Sequence, residues 1–254
     1  MNYDNKSILF MGDSITALGT DKRGWIRYFN EIIKPAHFVN VAVPGATIED
    51  KEGTVYDGEP VFIQSDNEQL NNVLGNQLEK ILRGKDSSHP NYHKVEDYQC
   101  FDYIFIAAGT NCGHRIGLTE TVEMVDRQFI DNKGNALPLD KVNRKTWSGA
   151  MRYIYENLRR LYPCAKIFFC SPVQAAESVE RAYASIKAKG EIIKAVCDRI
   201  SDVYFVNTFN CGICGIYEQR GKNGRDLIDG LHPNENGARK IGEYNARALK
   251  WFTL

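Results

Sequence analysis

Apolar and polar positions along the chain fall into two alternating patterns. Five short runs, Ser7 to Met11, Phe38 to Val43, Tyr103 to Ala108, Lys166 to Cys170 and Val203 to Asn207, are nearly continuous in apolar residues and rich in β-branched and aromatic side chains. Runs of that length without polar alternation suit strands buried on both faces of a parallel sheet. Between them, apolar residues recur at helical spacing: Trp25, Phe29, Ile32 and Ile33; Leu70, Val73, Leu74, Leu78, Ile81 and Leu82, ending at Gly84; Trp147, Met151, Ile154, Leu158 and Leu161, stopping before Pro163; and Val179, Tyr183, Ile186, Ile193, Val196 and Ile200. A last helix is expected from about Glu235 to Phe252. Each stripe covers one face of a sheet. Five strands separated by helices predict an α/β fold, a three-layer α/β/α sandwich around a five-stranded parallel sheet.

Two segments interrupt the alternation, residues 48–68 and 112–145. Each holds a glycine between potential strand arms, at Val55-Tyr56-Asp57-Gly58-Glu59 and Phe129-Ile130-Asp131-Asn132-Lys133-Gly134-Asn135-Ala136, and reads as an inserted hairpin. No repeat or low-complexity tract marks a boundary, so residues 1–254 are expected to form a single domain with two inserts.

Thirty-two Lys plus Arg balance 32 Asp plus Glu, so no global basic field favours nucleic acid or an anionic membrane. No apolar stretch approaches a membrane span and no signal peptide is visible. Seven cysteines, an odd number, are scattered through a chain large enough to build a core without staples, which favours reduced thiols and a cytoplasmic setting.

Ligands of open α/β sheets bind beyond the carboxyl ends of the strands, so the strand exits hold the candidate chemistry. The first exit is Gly12-Asp13-Ser14-Ile15-Thr16. Ser14 there suits a nucleophile exposed on a turn, or the start of a helix capped by Asp or Ser. The segment lacks the second glycine of a Gly-x-Ser-x-Gly elbow. The second exit, Val43-Pro44-Gly45-Ala46, reads as a type II turn whose backbone N–H could also meet a ligand oxygen. The third, Gly109-Thr110-Asn111-Cys112-Gly113, places a carboxamide between glycines. Asp229-Gly230-Leu231-His232-Pro233 sets an acid three residues before a histidine, the spacing of an orienting carboxylate and its base, or of an Asx turn entering a helix.

Taken together, these four segments form a complete acyl-transfer set in order along the chain. They resemble the four blocks of the SGNH, or GDSL-type, hydrolases, over residues 8 to about 242. The resemblance implies a flavodoxin-like architecture, with Ser14 as nucleophile, His232 as general base and then acid, and Asp229 as its partner. It implies an oxyanion hole made of the Ser14 and Gly45 N–H groups and the Asn111 side chain. Cys112 departs from the family, many of whose members carry aspartate there, and is read as a small buried hydrophobe. The expected activity is hydrolysis of an ester through an acyl-serine, removing a short acyl group such as acetyl from a carbohydrate or small molecule, with no cofactor and no metal. Acyl transfer, lysophospholipase or thioesterase activity with the same triad, and ligand binding without catalysis, are the alternatives. Tyr56, Phe62 and Arg115, in the inserts, are candidates for the substrate wall, Tyr56 and Phe62 equally for the inserts' own small cores.

Competing chemistry is thin. Cys211 and Cys214 form a lone Cys-x-x-Cys where zinc needs four ligands. His89 and His93 are separated by Pro90 and Asn91, which disrupt a helix. The loop with Arg220, Lys222 and Arg225 has no apolar strand before it of the phosphate-loop type and reads as a solvated approach to Asp229 that could meet an anionic substrate.

Overall fold

A computed structural model describes residues 3–56, 58, 71–112, 120–176 and 183–254. Five parallel strands, β1 (Ser7–Gly12), β2 (His37–Asn40), β3 (Tyr103–Ala107), β4 (Lys166–Cys170) and β5 (Val203–Val206), form one sheet in the order β2-β1-β3-β4-β5. The helices are α1 (Ser14–Ala17), α2 (Trp25–Ile33), α3 (Leu74–Lys85), α4 (Trp147–Leu161), α5 (Tyr183–Cys197) and α6 (Glu235–Thr253). The chain turns back on itself between β1 and β3, so the exits of those two strands flank the switch point of the sheet.

The unalternating strand sequences follow from burial on both faces. Leu9, Met11, Ile104, Ile106, Ile167 and Phe169 pack with α3, α4 and α5, while Ile8, Phe10, Phe105 and Phe168 pack with α2 and α6. On the second face, register aligns Phe10, Phe105, Phe168 and Tyr204 in one row across four strands. Phe105 and Phe168 stack at 4.6 Å and Phe168 and Tyr204 at 5.1 Å. Such cross-strand aromatic pairs fix register, because a slip of one residue would carry every ring to the other face.

Three elements are shorter than their apolar patterns. β2 ends at Asn40 rather than Val43, because the Asn40 side chain accepts the Ala42 N–H at 3.1 Å and donates to the Thr16 carbonyl at 3.0 Å. Val41 and Val43 still donate to Phe10 and Gly12, so the segment follows β1 as far as the rim. α5 ends at Cys197, and Ile200 lies in the turn beyond it. α3 starts at Leu74, with Val73 at its N-cap; the stripe's first residue, Leu70, lies outside the described residues.

The second insert contains a tight hairpin where its sequence predicts one. Ile130 bridges Ala136, Gly134 takes φ +82°, and the Asp131 carboxylate accepts the N–H groups of Lys133 and Asn135 at 2.8 and 2.9 Å. Short 3₁₀ turns at Val122–Gln128 and Leu139–Lys141 flank it. Of the first insert's expected hairpin, Asp57 and Glu59 lie outside the described residues. All seven cysteines are free thiols. No described helix is long and apolar enough to cross a membrane.

Candidate active site

Ser14 is the first residue of α1, immediately beyond β1. Asp13 caps that helix, its carboxylate accepting the Ile15 N–H at 3.1 Å. Nucleophile and helix start are therefore compatible: the cap holds the backbone, and the N–H of the first helical residue has no partner within the helix. Gly12 fits only because it lacks a side chain, since a Cβ would stand 2.2 Å from the Ala107 carbonyl of β3. Burial pushes the Asp13 carboxyl above its ordinary pKa, against the lowering effects of the Ile15 N–H and Thr110.

The segment that ends in His232 is a small antiparallel turn in front of α6. Leu227 bridges Pro233, the Ile228 N–H donates to the His232 carbonyl at 2.8 Å, and Gly230 takes φ +82°. Buried Glu218 braces its base by accepting the N–H groups of Asp226 and Leu227 at 2.9 and 3.2 Å. Asn234 then caps α6 through the Gly237 N–H. Within the turn, one Asp229 oxygen accepts the Leu231 and His232 N–H groups at 2.9 and 2.7 Å, and the other meets His232 Nδ1 at 2.8 Å. Asx turn and orienting carboxylate are thus the same residue, using different oxygens. Burial would raise the Asp229 pKa, but the hydrogen bonds from the His232 ring and from the two backbone N–H groups outweigh it and hold it below the ordinary value.

His232 Nε2 stands 3.0 Å from Ser14 Oγ. With Nδ1 carrying the proton that Asp229 accepts, Nε2 is left to accept from the Ser14 hydroxyl. Residues 218 positions apart thereby form one proton relay at the carboxyl edge of the sheet.

The other two strand exits come together beside it. Val43 to Ala46 form a turn closed by the Ala46 N–H on the Val43 carbonyl at 3.2 Å, with Gly45 at φ +79°. That is the type II geometry its sequence predicts. Asn111 donates an Nδ2 proton to the Ala46 carbonyl at 3.1 Å, which orients the amide. Ser14, Gly45 and Asn111 thus lie at three strand exits around one switch point, each carrying an N–H donor.

A family model, the GDSL-like Lipase/Acylhydrolase family, matches residues 10–240. The chain belongs to that family. This GDSL-like hydrolase is accordingly an enzyme acting on ester bonds. Solved structures of similar fold include a possible lipase from Chitinophaga pinensis, at 16% identity and TM-score 0.62, covering 98% of this chain and 100% of that one. Est24, a carbohydrate acetylesterase from Sinorhizobium meliloti, is similar at 17% identity and TM-score 0.56, covering 98% and 100%. A family two carbohydrate esterase from Clostridium thermocellum is similar at 15% identity and TM-score 0.55, covering 96% of this chain and 63% of that one. No curated protein matches the chain by sequence.

The substrate-wall candidates of the GDSL-like hydrolase fall differently. Phe62 and Arg115 lie outside the described residues. Tyr56 is half-buried: its hydroxyl donates to Asp50, and the Arg144 guanidinium lies over its ring and over that of Tyr153 in α4, 4.6 and 4.8 Å from the two centroids. Cys112 is fully buried, as a small hydrophobe would be, yet its sulfur accepts the Ile48 N–H at 3.1 Å and its thiol hydrogen-bonds with the Glu49 carboxyl. Burial pushes the thiol pKa up. Cys211 is buried, with its pKa pushed up to about 11 by burial, and among the described residues no three His, Cys, Asp or Glu side chains group as metal ligands would.

Several polar residues that support the site escape a reading of the sequence. Gln77, buried in α3, accepts the Gly12 N–H at 3.0 Å and donates to the Gly12 carbonyl at 2.7 Å, completing β1 where it leaves the sheet. Asn72 donates to the Pro44 carbonyl and supports the Gly45 turn. Lys189 is buried on α5 between Ile186 and Ile193. A charged residue three after one core position and four before another was the visible signal for it.

Proposed function

We propose that this hydrolase cleaves an ester through an acyl-serine intermediate, releasing a short acyl group such as acetyl from a carbohydrate or small molecule. The observation that carries the reading is the unbroken contact from Ser14 Oγ through His232 to Asp229. Ser14 Oγ attacks the ester carbonyl carbon as its proton passes to His232 Nε2, and the imidazolium is held by Asp229. The carbonyl oxygen becomes an oxyanion, which the N–H groups of Ser14 and Gly45 and the Asn111 side-chain amide meet. Collapse expels the alcohol, which takes the proton from His232, and leaves the acyl group on Ser14. Water then attacks the acyl carbon, gives its proton to His232, and a second collapse frees the acid and restores Ser14.

The acyl preference is supported by the carbohydrate acetylesterase and carbohydrate esterase among the structures of similar fold. The test is a series of p-nitrophenyl esters of increasing chain length, with Ser14→Ala and His232→Ala beside the wild type and a fluorophosphonate to label the serine. Expected are the highest kcat/KM at acetyl, label on Ser14 alone, and a loss of several orders of magnitude in either variant, not additive in the double variant. Wild-type rates in both variants would sink the mechanism, and a maximum at long acyl chains would overturn the substrate class. An added sugar acceptor in the same assay separates hydrolysis from acyl transfer.

A further inference from the structure

The Gly45 turn and the Asn111 loop come from different strands, and an oxyanion hole needs both held to within a fraction of an ångström. Three contacts stitch them together, all within Ala46–Glu49 on one side and Asn111–Cys112 on the other. Asn111 Nδ2 donates to the Ala46 carbonyl, the Ile48 N–H donates to Cys112 Sγ, and the Cys112 thiol hydrogen-bonds with the Glu49 carboxyl. The sulfur therefore serves as acceptor to one residue and donor to the next, which an ionised carboxylate at that position could not do.

Beneath this seam the environment is closed. Cys112 and Lys189 are 0% and 1% exposed. Glu49 Oε2 is buried and, among the described residues, has no hydrogen-bond partner. A carboxyl placed there would be costly without a counter-charge, and Lys189 supplies one, interacting electrostatically with both Glu49 and Cys112. Lys189 also lies over the Trp147 ring, 5.9 Å from its centroid. Trp147 is anchored in turn by the Glu120 carboxylate on its N–H at 2.7 Å, and its indole edge stands 3.5 Å from where a side chain on Gly109 would begin. The cluster is thus built under the loop that starts at Gly109 and carries Asn111.

We propose that Glu49 and Cys112, countered by Lys189, are positioning residues that lock the Gly45 and Asn111 loops in register, so that their two donors converge on the oxyanion. This rests on the acyl-serine reading given above. Because the pair acts only through the placement of donors that matter in the transition state, its loss falls on kcat and spares KM.

The test is steady-state ester hydrolysis by Glu49→Gln, Cys112→Ala and the double variant, with Cys112→Ser as the conservative exchange and thermal unfolding measured on each. Glu49→Gln and Cys112→Ala are each expected to lower kcat by about 10- to 100-fold, the cost of donors displaced by a fraction of an ångström to an ångström, with KM changed by less than about threefold. The double variant should lose no more than the worse single variant, and Cys112→Ser should recover most of the rate. Cys112→Asp alone sets two carboxyls against one lysine and should be severe, whereas Cys112→Asp combined with Glu49→Gln moves the carboxyl across the seam and should regain activity. If Glu49→Gln does not fold, the comparison of Cys112→Ser with Cys112→Ala and the Asp/Gln exchange decide in its place. Losses that multiply as if independent, or that appear in unfolding temperature with kcat intact, overturn the proposal. A wild type without Ser14-dependent hydrolysis would instead overturn the functional reading, and this proposal with it.

Discussion

Asn111 and Asp13 stand next to one another in the site's economy but act on different quantities. In the proposed mechanism negative charge reaches the carbonyl oxygen only as Ser14 attacks, so an Asn111 amide aimed at it would stabilise the transition state more than the bound ester. Asn111→Ala is expected to lower kcat on the order of 100- to 1,000-fold with little change in KM, read by steady-state kinetics on the best p-nitrophenyl ester. Asp13 is a matter of stability. Burial raises its pKa above the ordinary 3.8, so the folded protein prefers the protonated acid. The stability associated with that preference is complete below the unfolded value and lost as pH rises through the folded one. Asp13→Asn keeps the acceptor for the Ile15 N–H and cannot ionise. Its unfolding temperature should match wild type near pH 3.5 and exceed it at pH 7; a gap that does not grow with pH would mean that burial does not govern Asp13.

At the level of elements, the junction between β1 and α1 depends on two residues remote from the reaction. Gly12 admits β3 at close range, and Gln77 of α3 pairs with both polar groups of the Gly12 backbone, whose carbonyl also accepts the Val43 N–H. Gln77→Ala leaves a buried N–H without its partner and opens a cavity, an expected destabilisation of about 2–4 kcal/mol in urea unfolding. Because Gly12 leads directly into Asp13 and Ser14, the folded variant should also lose kcat. Stability equal to wild type would show that water replaces the glutamine amide at no cost.

Across the whole molecule, the two inserts are joined to each other. Asp50 and Tyr56 from the first and Arg144 from the second meet beside Tyr153 of α4, with the Arg144 guanidinium over both rings and 3.4 Å from the Asp50 carboxylate. A guanidinium over an aromatic face contributes about 0.5–2 kcal/mol per ring, enough to couple two loops without fixing the core. Both inserts begin at strand exits that carry a proposed oxyanion donor, so in the proposed mechanism their mutual position would shape the space above the reacting carbonyl. Arg144→Ala should shift the profile of kcat/KM across acyl chain lengths, retain turnover of the acetyl ester, and accelerate limited proteolysis within residues 48–58 and 120–146. An unaltered ester profile with faster proteolysis would confine the clamp to a structural role.

The chain's own pattern determined the strands, most helix spans and the residues of the relay. Burial on both sheet faces writes itself locally as unbroken apolar runs, and helices as stripes of fixed period. Ser14, Gly45, Asn111, Asp229 and His232 were legible because each follows a strand or precedes a helix within a short segment whose residue types have few other combined uses. The partners of those segments were not legible in the same way. That Glu49 meets Cys112, that Lys189 balances them and that Gln77 completes β1 are contacts between residues 63 to 140 positions apart. Nothing periodic marks such pairs, and Tyr56 could equally have faced a substrate. Their meeting is set by strand order and by where each crossover returns to the rim, so tertiary structure alone decided which polar side chains would be buried together.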